Sequence, residues 1–103
     1  MATIKDLTKK IIDFRDARDW KQFHNPKDVA LSLVLEAAEV MEHFQWKNGK
    51  EIDKYVVDSK EEIGDELADV LSYLLTLSHG DLGYKVLRWL NPLSLCIAVY
   101  LKL

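Results

Sequence analysis

The chain is poor in residues that staple, bend or anchor a polypeptide. Its 103 residues include one cysteine, Cys96, two prolines and four glycines. A single cysteine excludes an internal disulfide and a cysteine-based zinc site. No apolar run approaches the ~20 residues a membrane span needs. The amino-terminal stretch MATIKDLTKK has no apolar signal core. Together these absences point to a cytoplasmic protein. Basic charge is also scarce. Fourteen Lys and Arg face 17 Asp and Glu, for a net charge of −3 at pH 7. A general nucleic-acid binder would carry a clustered basic surface instead. There is no internal repeat, no low-complexity tract, no Gly-rich phosphate loop and no alternation of strand and helix patterns.

What is present is an ordinary globular balance, 49% hydrophobic and 30% charged. The length predicts a single domain over residues 1–103. A lone chain this short buries only about two-thirds of its surface, which favours a subunit of an oligomer. The charges are uneven: only Asp81, Lys85, Arg88 and Lys102 fall after Ser78. The chain reads as a charged, amphipathic body with an apolar tail.

Helical periodicity dominates. Thr3 and Asp6 form a shortened version of a capping box, and Ile4, Leu7, Ile11 and Phe14 follow at helical spacing, predicting a helix over about 4–20. Asn25-Pro26 is an N-cap with proline at the first helical position, so a second helix runs from Pro26 to about Phe44. Asn48-Gly49 breaks it. Residues 50–58 hint at a short helical turn through Ile52, Tyr55 and Val56. Ser59 with Glu62 spells a capping box, predicting a third long helix to about Ser78, with Gly80 as its stop. A further helix over 82–90 would end at Asn91-Pro92, and 93–103 is strand or helix. The fold class is all-α, an antiparallel bundle of about four helices.

The placement of certain acids is the informative feature. At about 100° per residue, Glu36, Glu39, His43 and Ser32 form a narrow polar strip with apolar residues on both flanks. A surface helix normally has one apolar stripe and one wide polar face. On the third predicted helix, Glu62, Glu66, Asp69 and Tyr73 stack at steps of four, three and four beside the stripe of Ile63, Leu67, Val70, Leu71 and Leu74. Antiparallel packing sets Glu36 and Glu39 against Glu66 and Asp69. Four carboxylates in one cleft repel each other. A hard divalent cation with oxygen ligands relieves that repulsion and suits Mg²⁺, Mn²⁺ or Ca²⁺ rather than zinc. Protonation is the alternative. Glu62 has a structural explanation as a cap, and Glu42, Glu61 and Asp65 read as solvent-facing.

The stretches ALSLVLEAAEVMEHFQWK and EEIGDELADVLSYLL resemble the MazG-like all-α nucleoside triphosphate pyrophosphohydrolases, most closely the dCTP pyrophosphatase group. That family carries ExxE on one helix and ExxD on the next. Here these are Glu36-Ala-Ala-Glu39 and Glu66-Leu-Ala-Asp69. RDARDWKQFHNP also resembles the group's stretch before the first motif, so the likeness covers about Phe14 to Leu77. It implies hydrolysis of a (deoxy)nucleoside triphosphate, with a dCTP-like base as the candidate, to the monophosphate and pyrophosphate with Mg²⁺, or Mn²⁺ in its place. Glu36, Glu39, Glu66 and Asp69 would hold the metal, and Glu36 or Glu39 would act as base. The resemblance further implies Trp20 and Trp46 as aromatic walls of a base pocket, with His24 and Tyr73 beside them. Phe14, Phe23 and Phe44 read as core. It also implies a homodimer or homotetramer.

After about His79 the resemblance fades. Lys85, Arg88 and Asn91 have no clear counterpart among the family's phosphate-holding residues, so residues 80–103 depart from the pattern. That departure keeps a second reading open, a non-catalytic nucleotide-binding or interaction protein on the same scaffold. A ferritin-like di-metal carboxylate protein would need Glu-x-x-His. Val40 and Thr76 occupy the positions three before His43 and His79, so that motif is absent.

Overall fold

The structure, a computed structural model, describes residues 2–80. These form four helices: α1 (Ile4–Ala17), α2 (Pro26–Glu42), α3 (Lys50–Asp58) and α4 (Lys60–Gly80), with a single 3-10 turn at Lys21–Phe23 between the first two. No strand occurs among the described residues, and the all-α expectation holds. The predicted helix over 82–90 and the apolar stretch 93–103 lie outside the described residues. The fourth helix seen here is α3, over the segment the sequence left ambiguous.

The helix starts follow their side chains. The Thr3 hydroxyl accepts from the Asp6 N–H at 3.1 Å, and the Asp6 carboxylate accepts from the Thr3 N–H at 2.9 Å. An aspartate therefore completes the capping box, and these bonds hold its pKa below the ordinary value. At α2, Asn25 accepts from the Asp28 N–H at 2.9 Å, with Pro26 next. The predicted Ser59–Glu62 box is not made: Ser59 has φ −114° and ψ 26°. An N-cap needs extended backbone to bring its hydroxyl under the first N–H groups. Ser59 is instead the tight junction of two helices, donating its N–H to Tyr55 O at 2.8 Å and accepting from the Ile63 N–H at 3.0 Å.

α1 stops earlier than periodicity suggests. Asp19 has φ +56°, in the left-handed region. The Trp20 N–H bonds back to Arg15 O at 3.1 Å and the Asp19 N–H to Asp16 O at 3.1 Å. This is a Schellman end with aspartate in the place glycine usually takes, which is why sequence patterning ran the helix on to residue 20. It swings Trp20 off the helix axis. α3 begins through Gly49, whose φ +52° and ψ −122° are those of the second residue of a type II′ turn.

α2 and α4 form the central pair, and α1 and α3 both pack on α4. Among the described residues, the buried apolar ones are Ile12, Val29 and Leu75. Glu36 senses Asp69 while Glu39 meets Glu66, so later positions of α2 face earlier positions of α4 and the pair is antiparallel. No helix among the described residues is long and apolar enough to cross a membrane.

Candidate functional site: a carboxylate cluster beside an aromatic cavity

Helical spacing does the first part of the assembly. Residues three apart share a face, so Glu36 and Glu39 leave α2 together and meet Glu66 from α4. One carboxylate oxygen from each of the three lies within 4.8 Å of the others. Glu39 is exposed, whereas Glu36 and Glu66 are half-buried. Oε2 of Glu36 and Oε2 of Glu66 are shut off from water with no hydrogen-bond partner. Neither ion pair seen among the described residues, Lys9–Asp13 and Arg15–Asp16, involves these acids.

Such an arrangement disfavours full ionisation. The Glu66 carboxyl is pushed up to about 7, first by proton sharing with Glu39, then by burial, then by the charges of Glu39, Glu36 and Asp69. Carboxylates only accept, so Glu39 and Glu66 are hydrogen-bonded only while one of them holds a proton. Glu36 is raised mainly by burial, with the charges of Glu39 and Asp69 adding to it. Asp69 sits at the rim: its charge reaches both Glu36 and Glu66, yet it is exposed and lies outside the converging trio. Orphaned, convergent hard oxygens are the donor set a divalent ion such as Mg²⁺ or Mn²⁺ uses, so the residues fit such an ion.

Two cavities flank the acids. The larger, about 440 Å³, is lined by Ile11, Phe14, Arg15, Trp20, His24, Asp69, Ser72, Tyr73 and Thr76, with Lys10 at its side. That volume is within the range of small-molecule pockets. Asp69 belongs to its wall, so the cavity opens beside the carboxylates. Phe14 and Trp20 meet edge to face at 5.6 Å, and the Arg18 guanidinium lies 3.4 Å from the centroid of the Phe14 ring. The smaller, about 300 Å³, is lined by Glu39, Glu42, His43, Tyr55 and Glu66. There the Tyr55 hydroxyl and His43 Nδ1 are 2.6 Å apart, tying α3 to the end of α2.

Of the sequence-derived pocket residues, Trp20, His24 and Tyr73 come together around the larger cavity. Trp46 does not join them and is 83% exposed. Phe14, expected in the core, is 50% exposed and lines the cavity, while Phe23 is 66% exposed. Glu42, expected to face solvent, is exposed and also edges the smaller cavity. Sequence reasoning missed Arg15, Ser72 and Thr76. Arg15 had one signal: it falls on the face of α1 that buries Thr8 and Ile12, an unusual place for a cation.

A model of the MazG-like family matches residues 31–91, more than half the chain and all four motif acids. The chain belongs to the MazG-like family. The match extends past His79, where the resemblance read from the sequence faded. Among curated relatives, dCTP pyrophosphatase 1 of Rattus norvegicus is 39% identical over 90 residues, covering 82% of this chain and 53% of its own. The Homo sapiens protein of the same name is 38% identical over 78 residues, covering 74% and 46%. The chain thus spans about half the length of the curated relatives it matches. A pyrophosphatase crystal structure from Archaeoglobus fulgidus superposes with a TM-score of 0.81 at 31% identity, covering 97% of this chain and 94% of that one. MazG-like membership accounts for the all-helical scaffold and for the order of the two acid motifs.

Proposed function

We propose that this MazG-like chain is a pyrophosphohydrolase that cleaves a nucleoside triphosphate between its α and β phosphates, releasing the monophosphate and pyrophosphate. One observation carries the reading: carboxylates from α2 and α4 converge beside Asp69, and Asp69 belongs to the wall of an aromatic cavity of nucleoside size. The dCTP pyrophosphatase relatives support a deoxynucleotide, dCTP first among the candidates.

In this reading the base lies in the cavity between Trp20, Phe14 and Tyr73, whose faces stack on any base. The triphosphate then extends past Asp69 to the acids. Glu36, Glu39, Glu66 and Asp69 would hold Mg²⁺ or Mn²⁺. When bound, that ion supplies charge neutralisation of the phosphate oxygens and a lowered pKa for water. Glu39 is the best-placed base. It is the exposed member and lies within proton-sharing reach of both Glu36 and Glu66. As water attacks phosphorus, a Glu39 carboxylate oxygen takes its proton, the P–O bond bridging the α and β phosphates breaks and pyrophosphate departs. Glu36 is the other candidate for that role. Trp46 has no assignment within a single copy.

Leu31, Val34, Leu35 and Met41 of α2 and Leu67, Leu71 and Leu74 of α4 are exposed apolar residues. Exposed apolar side chains gathered on two packed helices suit an interaction surface, and they support a homodimer or homotetramer. The deciding experiment incubates purified protein with Mg²⁺ and each canonical and modified dNTP and measures pyrophosphate. Release that EDTA abolishes is expected. No release from any triphosphate by folded, oligomeric protein would overturn the proposal.

A further inference from the structure

Arg15 is a charged side chain where α1 should be apolar. Only 8% of the side chain is exposed, and it forms part of the wall of the larger cavity. Asp16 Oδ1 accepts from Arg15 Nε at 3.0 Å and pairs with Nη2 at 3.0 Å. No protein partner of Nη1 occurs among the described residues. Guanidinium carries five N–H donors in a rigid fork, so donors remain for whatever fills the cavity.

The neighbours say what kind of acceptor those donors want. Asp16 already compensates the guanidinium charge, so Arg15 offers hydrogen bonds more than net positive charge. A neutral acceptor therefore suits it better than a phosphate, whose charge calls for an uncompensated cation. His24 stands close enough to feel Arg15: burial, then the Arg15 charge, hold its pKa below the ordinary value, and its Nδ1 is buried without a partner. Neutral imidazole at that point can donate or accept. Across the cavity the Ser72 and Thr76 hydroxyls donate to Ala68 O at 2.9 Å and Ser72 O at 2.7 Å. Their oxygens are left as acceptors. Aromatic faces with edge-on donors and acceptors are what a heteroaromatic ring requires.

Building on the pyrophosphohydrolase reading, we infer that Arg15 is a specificity-determining residue: its Nη1 donates to a carbonyl oxygen or ring nitrogen on the edge of the nucleobase. The test compares dCTP and dTTP with difluorotoluene deoxynucleoside triphosphate, which keeps the pyrimidine shape but lacks those acceptors. Wild-type protein should prefer the better pyrimidine over the isostere by at least about tenfold in kcat/KM, expressed mainly in KM, because a lost partner for a charged donor costs that much. Arg15→Met should cut that preference to about threefold or less. A structural role would instead lower both substrates alike. An equal loss on both, or a wild type indifferent to the isostere, overturns the inference.

Thermal melts establish that the variant is folded. If Arg15→Met does not fold, Arg15→Lys, which keeps the charge but loses the fork, carries the comparison and should also reduce the preference. Titrations with α,β-methylene analogues of the same bases, followed by intrinsic tryptophan fluorescence, report the ratio without turnover. A wild type that binds but releases no pyrophosphate fails the functional reading alone, and the binding ratio still decides the role of Arg15.

Discussion

The two sides of the α2–α4 pair are built from the same helices and do opposite things. On one side Glu39 and Asp69 emerge between α1 and α3, with a cavity at either end. On the other, Val34, Met41, Leu67, Leu71 and Leu74 are exposed, and no described helix covers them. Both helices place their acids in one angular direction and these apolar residues in the other. In an antiparallel pair those directions coincide, so each side is uniform. The lesson is a division of labour. One side gathers carboxylates and shuts two of their oxygens off from water, and the other keeps exposed apolar area.

The most direct way to break the acid side is to remove a carboxylate charge. Glu39→Gln or Asp69→Asn should lower pyrophosphate release by at least about 100-fold, since losing even the outer partners of a metal ligand costs 10–100-fold. Their melting temperatures in EDTA should hold or rise, because like-charge repulsion is relieved. Retained activity would remove them from the site. On the apolar side, Leu71→Glu should weaken self-association by at least about tenfold in dissociation constant, read by sedimentation. An unchanged mass would show that the side is not the interface.

Metal and pH sharpen the contrast, since only the acid side titrates. In metal-free protein, folded Glu66 keeps its proton up to about pH 7, whereas an unfolded glutamate releases it near 4.5. The folded state therefore binds more protons between those values, and stability falls as pH rises through that window. Glu36 is shifted the same way. Melts from pH 4.5 to 8 in EDTA should show this decline, and Glu66→Gln should flatten it. At pH 8, Mg²⁺ at 100 times its dissociation constant should restore about 2.7 kcal/mol. The smallest effect comes from a residue that serves both sides equally: Asn25→Ala removes the α2 cap and should cost about 1 kcal/mol in denaturant melts, with substrate preference unchanged.

Much of this was readable from the chain. Thr3 with Asp6, and Asn25 before Pro26, announce their helices because a cap is a contact over three residues. The acid strips were legible for a similar reason: helical spacing alone puts Glu36 beside Glu39 and Glu66 beside Asp69. Local signals failed where backbone conformation departs from residue preference. Asp19 takes a left-handed turn that glycine would have advertised, and Ser59 has a capping sequence without capping backbone. Phe14 was placed in the core because its spacing matches Ile11 and Leu7, and spacing cannot distinguish packing from a cavity wall.

The sequence by itself determined the helical class, the helix starts and which acids share a face, since all of these depend on separations of three or four residues. Only tertiary structure decided that one carboxylate oxygen each of Glu36 and Glu66 is shut off from water, that Asp69 lines a cavity while the other three converge, and that Arg15 lines that cavity near His24. Burial and charge coupling depend on which helices meet and on what fills the space between them. Those distances join residues as far apart in the chain as Arg15 and Thr76, and no periodicity encodes them.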